Sequence, residues 1–227
     1  MPPSATRTEH DLLGNKAVPA DAYYGVQTAR ALENFHISGV ELRLYPNLIK
    51  AFAMVKLAAA RANVECGQFS PEILKGIEGA CEEIIAGKLH DEFRLDVFQG
   101  GAGTSTNMNA NEVIANRAIQ LAGGQVGSKS PIHPNDDVNR SQSSNDAFPA
   151  VMHVALVEAI DARLLPAVDR LVETLAAKSR AFAGVVMLGR THLMDATPVT
   201  LGQVTGGWAA QLGEARRYVV AARDALH

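Results

Sequence analysis

The fold is decided by residues 146–180, DAFPAVMHVALVEAIDARLLPAVDRLVETLAAKSR, because they carry the longest helical pattern of the chain. Apolar residues recur there mostly three or four positions apart, which is the period of an amphipathic helix. The predicted apolar face consists of Met152, Ala155, Ala159, Leu165, Val168, Leu171 and Leu175. Pro166 interrupts the pattern, and a proline inside a helix removes a backbone hydrogen bond and clashes with the preceding turn. The sequence therefore predicts two long helices that meet at a kink or break near Pro166.

A narrow apolar seam follows near the end of the chain. It consists of Val204, Trp208, Leu212, Ala215, Val219, Ala222 and Leu226. Spacings of four and three residues are the repeat of coiled coils and helical bundles. No Gly, Asn or Pro follows Leu226, so the seam predicts a helix that is interrupted where the sequence stops. The preceding stretch, GRTHLMDATPVT (189–200), is predicted to be a linker between helices.

Shorter helices are predicted in the first half of the chain. One spans residues 47–65, with an apolar face of Leu48, Phe52, Val55, Ala59 and Ala62. The next has Ser70 as its N-cap, Pro71 at its first position and Gly87 as its stop signal. Another covers NEVIANRAIQLA (111–122) and ends at two glycines. The first 45 residues show little periodicity beyond one short helix.

Composition excludes several classes of protein. The 227 residues carry 21 basic and 24 acidic side chains, and a net charge of −3 argues against a nucleic-acid binder. No apolar run approaches the roughly 18 residues that span a bilayer, and no secretory leader pattern opens the chain. Aromatic residues make up only 5%, which favours closely packed helices over a β-sandwich. Cys66 and Cys81 are not spaced as metal ligands, which predicts two buried, reduced thiols in a cytoplasmic protein.

A turn-rich stretch, GQVGSKSPIHPNDDVN (124–139), marks the predicted domain boundary. Residues 1–140 are predicted to form a mostly helical N-terminal domain. Residues 141–227 are predicted to form the first, incomplete part of a central helical-bundle domain.

Three polar stretches are candidates for binding a small anion. They are QGGAGTSTNMN (99–109), whose glycines predict an irregular loop, SQSSND (141–146) and GRTHLMDATPVTLGQ (189–203). Hydroxyls, amides and the free N–H groups of a helix start all favour a carboxylate. The first stretch contains no lysine, so it is not a phosphate-binding P-loop. Each stretch alone is also explained by helix capping. Since each is expected at the end of a long helix, the three together favour a site for a small dicarboxylate.

Four stretches resemble the aspartase/fumarase superfamily, and they occur in the order that is typical of it. They are VPADAYYGVQTARALENF (18–35), VFQGGAGTSTNMNANEVIANRA (97–118), HPNDDVNRSQSSNDAFP (133–149) and GRTHLMDATPVTLGQ (189–203). The resemblance implies a mainly α fold, a homotetramer around a large helical bundle, and active sites built from several loops at subunit boundaries. It also implies reversible β-elimination from a dicarboxylate to give fumarate, with no metal and no organic cofactor.

Site residues are implied by the same resemblance. The predicted substrate-binding residues are Thr104, Ser143, Ser144, Asn145 and Thr191. His192 is the predicted catalytic residue, because it aligns with a residue that contacts the leaving group or assists proton transfer. Fixed hydroxyl and N–H donors would stabilise the carbanion, whose charge spreads into the neighbouring carboxylate.

Within the superfamily, the stretches GGAGT and ADAYYG resemble aspartate ammonia-lyases, and ammonia elimination from aspartate is the expected reaction. The alternative is a class II fumarase, which HPNDDVN, SQSSND and the GGW around Trp208 resemble. His133, Asn135 and Asp136 also match a second carboxylate site of fumarases. A further alternative is a helical fragment that only binds carboxylates or oligomerises.

Enzymes of the superfamily are about twice this length. Their GSSxMPxKxNP loop, with the serine thought to act as base, has no equivalent in these 227 residues. The resemblance therefore predicts that this chain is the N-terminal half of a longer enzyme and has little lyase activity alone.

Overall fold

The computed structural model describes residues 5–226 and consists mainly of helices, which confirms the predicted fold class. It divides into a first unit that ends at Ala155 and a second unit that begins at Leu156. The predicted boundary after residue 140 concerns domains rather than compact units, and it stays a prediction.

Seven α-helices are present in the described residues: α1 (Val26–Asn34), α2 (Pro46–Glu65), α3 (Pro71–Ile85), α4 (Thr104–Leu121), α5 (Ser144–Ala159), α6 (Leu165–Ala181) and α7 (Leu201–Asp224). Two antiparallel hairpins pair β1 (Thr6–Asp11) with β2 (Gly14–Pro19) and β3 (Val186–Thr191) with β4 (Met194–Thr200). Short π-helical segments lie at Pro134–Val138 and Ile160–Leu164. No helix among residues 5–226 is long and apolar enough to cross a membrane.

Helix α4 is the centre of the first unit, because nearly every residue from Thr106 to Ile119 is buried. Helices α1 and α3 pack against it, and α2 packs against α3. The largest buried apolar side chains of this core are Ile49, Phe52, Ile77, Ile84, Phe93, Leu95, Ile114 and Ile119. Each such side chain contributes roughly 1.5–3 kcal/mol by leaving water, so this core is the main stabilising element.

The predicted bounds of α2 and α3 are confirmed, whereas the predicted apolar face of α2 is wrong in part. Ala62 is exposed, and the buried stripe runs instead through Ile49, Phe52, Lys56 and Ala60. The cause is Lys56, a buried polar residue in the middle of the stripe that a purely apolar pattern overlooks. Cysteine burial is likewise half right, since Cys81 is buried and Cys66 is exposed.

The start of α1 is capped from a distance rather than by its own sequence. Glu112 of α4 accepts hydrogen bonds from the backbone N–H groups of Gly25, Gln27 and Thr28 at 2.8, 2.8 and 3.0 Å. Glu9 of β1 accepts a fourth from Val26 at 3.0 Å. These carboxylates satisfy the N–H groups that every helix start leaves unpaired. Their negative charge also interacts favourably with the positive end of the helix dipole.

In the second unit, α6 and α7 pack closely along their length. Asp169 accepts two hydrogen bonds from Arg216, at 2.5 and 3.1 Å, and Asp161 accepts one from Arg223 at 2.7 Å. At the start of α7 the two helices nearly touch, because a Cβ on Gly202 would lie 2.5 Å from the Ser179 carbonyl oxygen. The predicted seam of α7 is only partly covered by α6, and 52% of Trp208 stays exposed.

The predicted break at Pro166 is confirmed. Helix α5 ends at Ala159, a π-helical segment follows, and α6 starts at Leu165 with Pro166 as its second residue. Proline is tolerated at this position because the first N–H groups of a helix have no intrahelical partner.

Two stretches contain a β-hairpin that the sequence pattern did not predict. The first hairpin lies within the first 45 residues, where the pattern indicated little order. The predicted linker 189–200 belongs to the second hairpin, β3–β4, which turns at His192 and Leu193. Both turn residues have positive φ, 49° and 61°, the backbone that a two-residue turn between antiparallel strands requires. The pattern missed it because His and Leu replace the Asn-Gly pair typical of such turns.

Candidate functional site

The first group of predicted site residues meets where α4 and α5 begin. Helix α4 starts at Thr104, directly after Gly103, whose φ of 70° places it in the left-handed region. The prediction that residues 99–109 are irregular is therefore wrong from Thr104 onward. Burial of Thr106, Asn107 and Asn109 outweighs the low helix propensity of their residue types.

Gly103 brings the two helix starts together. A Cβ at this position would lie 2.4 Å from the ring of Phe148 in α5, so a side chain here would push the helices apart. Glycine thus serves two purposes at Gly103: it adopts the left-handed backbone without strain, and it leaves room for the aromatic ring.

As a result, the hydroxyls of Thr104 and Ser144 lie within hydrogen-bond distance, with 3.1 Å between their Oγ1 and Oγ atoms. Ser143 precedes α5, and its carbonyl accepts the N–H of Ala147 at 2.8 Å as the helix begins. The Ser143 hydroxyl accepts the N–H of Asn145 at 3.3 Å. Four of the six predicted site residues are therefore adjacent, at two neighbouring helix N-termini.

Two helix starts together form an environment for a negative charge. Each contributes the positive end of its helix dipole. Thr104, Ser143 and Asn145 are exposed and Ser144 is half-buried, so their polar atoms are accessible from outside. The arrangement suits a carboxylate, whose two oxygens accept several hydrogen bonds at once.

The residue that caps α4 from outside was not predictable from local sequence patterns. Gln99 accepts hydrogen bonds from the backbone N–H and the hydroxyl of Thr106, at 3.1 and 3.0 Å. Its own amide donates to the carbonyl of Asp96 at 2.9 Å. Glutamine is not a usual cap, so pattern rules that look for Ser, Thr, Asp or Asn pass over it.

Asp96 anchors the segment before this cap. Its carboxylate accepts hydrogen bonds from Ser38 Oγ at 2.7 Å and from the backbone N–H groups of Gly39 and Phe98, both at 2.8 Å. Burial alone would raise the pKa of Asp96, but these hydrogen bonds outweigh it and hold the pKa below its usual range. A charged carboxylate therefore fixes the approach to Gln99.

Thr191 and His192 lie in the second unit, at the tip of the β3–β4 hairpin. Thr191 is the last residue of β3, His192 is the first turn residue, and both are exposed. No hydrogen bond joins His192 to Asp195 in the described part of the chain, so that carboxylate does not orient the imidazole. The hairpin presents His192 to solvent.

The motif HPNDDVN folds as a compact turn beside a cavity of about 650 Å³ in the first unit. His133 Nδ1 accepts hydrogen bonds from the backbone N–H groups of Asn135 and Asp136, at 3.2 and 3.1 Å. These bonds place the lone pair on Nδ1 and leave Nε2 as the donor nitrogen. Lys129 also borders the cavity, while Arg30 there is paired with Asp11. The second carboxylate site that His133, Asn135 and Asp136 were predicted to form stays a prediction.

Comparison with known proteins identifies the class. Residues 14–226 match a family model described as "Lyase", and the chain belongs to this family, which forms the aspartase/fumarase superfamily. The chain is 54% identical over 221 residues to a class II fumarate hydratase from Thermus aquaticus, covering 97% of this chain and 47% of that protein. It is 48% identical over 221 residues to a mitochondrial fumarate hydratase from Rattus norvegicus, covering 97% and 43%. The chain thus spans about half the length of these relatives.

Solved structures agree with the fold. The crystal structure described as fumarate lyase:delta crystallin from Brucella melitensis superposes with a TM-score of 0.94 at 48% identity, covering 98% of this chain and 51% of that one. A recombinant class II fumarase from Schistosoma mansoni superposes with a TM-score of 0.91 at 37% identity, covering 98% and 46%.

The expected assignment to the aspartate ammonia-lyases is wrong. Three relatives from different bacteria, at 53–55% identity, are named class II fumarate hydratases, and the similarity extends over 91–98% of the chain. The assignment relied on the short GGAGT and ADAYYG stretches. GGAGT leads into the start of α4, where the arrangement suits a carboxylate. Aspartate and malate both carry carboxylates, so this chemistry does not report whether ammonia or water leaves.

Proposed function

We propose that the polypeptide containing this chain is a class II fumarate hydratase, which interconverts malate with fumarate and water. The observation that carries the proposal is the pair of helix starts whose Thr104 and Ser144 hydroxyls lie 3.1 Å apart. The relatives named fumarate hydratase, at about half identity over nearly the whole chain, support the choice of reaction.

In this reaction a proton leaves the carbon next to one carboxylate of malate, and hydroxide leaves the neighbouring carbon and takes up a proton. The negative charge of the intermediate spreads into the carboxylate. Donors that are already aimed at that carboxylate stabilise the charge without reorganising. We assign this role to Thr104, Ser143, Ser144 and Asn145, together with the positive end of the α5 dipole.

Thr191 and His192 complete the proposed residue set. We assign Thr191 to substrate binding, and His192 to contact with the leaving hydroxyl or to proton transfer to it. Their position at a hairpin tip supports this assignment, because a hairpin presents a side chain without a packed neighbour. A homotetramer, a cytoplasmic location and the absence of a metal or organic cofactor belong to the same proposal.

The test uses the polypeptide as its gene encodes it, whatever its full length. Malate is added and the ultraviolet absorbance of fumarate is followed, with aspartate as the comparison substrate. We expect fumarate from malate, and a loss of kcat/KM of roughly 100-fold in Ser144→Ala, since one charge-stabilising donor contributes about that much. No turnover of malate by a folded parent protein would reject the proposal.

The control variant is Ser128→Ala. Ser128 is an exposed serine of the first unit whose hydroxyl donates to the carbonyl of Ser130 and accepts the N–H of the same residue. It should leave kcat/KM within about twofold of the parent, as is usual for surface substitutions.

A further inference from the structure

A buried amino group lies behind the site. Lys56 in the middle of α2 is fully buried, which is rare for a lysine unless its amino group has partners. Its Nζ donates hydrogen bonds to Asn139 Oδ1 at 2.9 Å and to Gln142 Oε1 at 3.0 Å. Both acceptors belong to the short segment that leads directly into Ser143 and Ser144.

Helix α4 contacts the same acceptor. Asn139 Oδ1 also accepts hydrogen bonds from the side-chain amides of Asn107 and Asn111, at 2.9 and 3.2 Å. These two asparagines lie one turn apart on α4, in the helix that Thr104 begins. A single oxygen therefore joins α2, α4 and the segment before α5.

The segment itself is held at several further points. Asn139 donates to the carbonyl of Gln142 at 3.2 Å, and Gln142 donates to the carbonyls of Val138 and Arg140 at 3.0 and 3.2 Å. Asn63 of α2 donates to the Arg140 carbonyl at 3.0 Å. We call Lys56, Asn107, Asn111, Asn139 and Gln142 the anchoring network.

We propose that Lys56 is a positioning residue, which acts through the anchoring network to hold Ser143 and Ser144 in register with Thr104. The inference rests on the proposed function, because it concerns the same pair of helix starts. Lys56 does not touch the site residues. It fixes the chain that carries two of them, relative to the helix that carries the third.

A purely stabilising role explains the network poorly. Burying an amino group is costly, and an apolar side chain of the same length would fill the space at less cost. The amino group instead makes two directional hydrogen bonds, to Asn139 and Gln142, which hold the segment before α5 in one position. A displacement of about 1 Å at a catalytic group can lower a rate about 100-fold, which makes such precision valuable.

The first experiment does not depend on activity. Hydrogen exchange is measured at the backbone amides of Asp146 and Ala147, which donate to the Ser143 carbonyl, in the parent polypeptide and in Lys56→Met. We expect at least tenfold faster exchange in Lys56→Met, because the segment before α5 has lost its anchor. The matched control is Lys50→Met, the same change on a half-buried lysine of α2, which should leave exchange unchanged. Equal exchange in parent and Lys56→Met overturns the proposal, even if the proposed reaction is not found.

The second experiment measures kcat/KM for malate. We expect a loss of about 10- to 100-fold in Lys56→Met. In a background that carries both Ser143→Ala and Ser144→Ala, the same change should cost less than threefold, because both hydroxyls that Lys56 positions are already gone. Equal losses in both backgrounds indicate a general structural effect and overturn the proposal.

If Lys56→Met does not fold, Gln142→Ala takes its place, since Gln142 is only half-buried. It should lose at least threefold in kcat/KM, and activity equal to the parent overturns the proposal.

Discussion

Glu112 and Gly25 form a contact that leaves no room for a side chain. The Glu112 carboxylate accepts the Gly25 N–H at 2.8 Å, although the two residues are 87 positions apart in sequence. A Cβ on Gly25 would lie 2.8 Å from both Glu112 Oε1 and Glu9 Oε2. The missing side chain at residue 25 therefore permits the cap that orders α1.

We predict that Gly25→Ala lowers the free energy of unfolding by about 2 kcal/mol, because the methyl group displaces a buried carboxylate from its donors. Chemical denaturation followed by circular dichroism measures the effect. The control is Gly213→Ala in α7, where an added Cβ meets nothing within 4 Å. That change should raise stability by roughly 0.5–1 kcal/mol, since alanine favours a helix interior. A Gly25→Ala protein as stable as its parent would show that the cap adjusts freely.

A second prediction concerns the close approach of α4 and α5. Gly103→Ala places a methyl group 2.4 Å from the Phe148 ring, at a residue whose φ of 70° already disfavours alanine. We expect a loss of about 2–3 kcal/mol in stability and at least a tenfold loss in kcat/KM for malate. Gly101→Ala separates the two causes, because φ is 38° there but nothing lies within 4 Å. It should show the smaller backbone cost, about 1 kcal/mol, and equal losses in both variants would contradict a role for the ring.

A third prediction concerns stability and pH. Burial lowers the pKa of Lys56 to about 7, whereas an unfolded lysine titrates near pH 10.4. Because the folded pKa is the lower one, Lys56 favours the folded state most at high pH. This contribution is lost as the pH falls from about 10 towards 7. We expect the parent to lose about 2–3 kcal/mol relative to Lys56→Met between pH 9 and pH 6.

Denaturation of both proteins at each pH checks this expectation. Cys81, the neighbouring titratable group, should not disturb the measurement, because burial raises the pKa of its thiol to about 12. Parallel stability curves for the parent and Lys56→Met would contradict a lowered pKa.

A fourth prediction concerns the turn at His192. Leu193 is fully exposed, and its φ is 61°, a backbone that glycine adopts without strain. We expect Leu193→Gly to stabilise the β3–β4 hairpin by about 0.5–1 kcal/mol. Leu13, exposed at the tip of the first hairpin, does not have positive φ, and Leu13→Gly should destabilise instead. Thermal unfolding distinguishes the two, and a stabilised Leu13→Gly would indicate a cause other than φ.

Local signals predicted the parts of the fold whose causes are local. Ser70, Pro71 and Gly87 bound α3 in sequence and in structure, since caps act within a few residues. Pro166 marked the break before α6 for the same reason. The start of α4 was not predictable, because the burial of Thr106, Asn107 and Asn109 decides it rather than the helix propensity of Thr, Ser and Asn.

The residues of the candidate site were predictable from the sequence, but the buried residues that hold the surrounding elements in place were not. Ser143 to Asn145 precede a helical pattern and suggest an anion site, and the structure confirms that a helix begins there. Lys56 gave no signal, because a lysine in a helix is normally solvated and only three-dimensional packing reveals its burial. Glu112 was missed likewise, since its partners lie more than 80 residues away in sequence.

The oxygen of Asn139 has a consequence for how the chain folds. It accepts from three donors on two helices. If the segment that carries Asn139 has not yet docked, Lys56 and the two asparagines would enter the interior without an acceptor, which costs several kcal/mol. A half-assembled state is therefore penalised more than either end state. This oxygen therefore couples the docking of its own segment to the packing of α2 and α4.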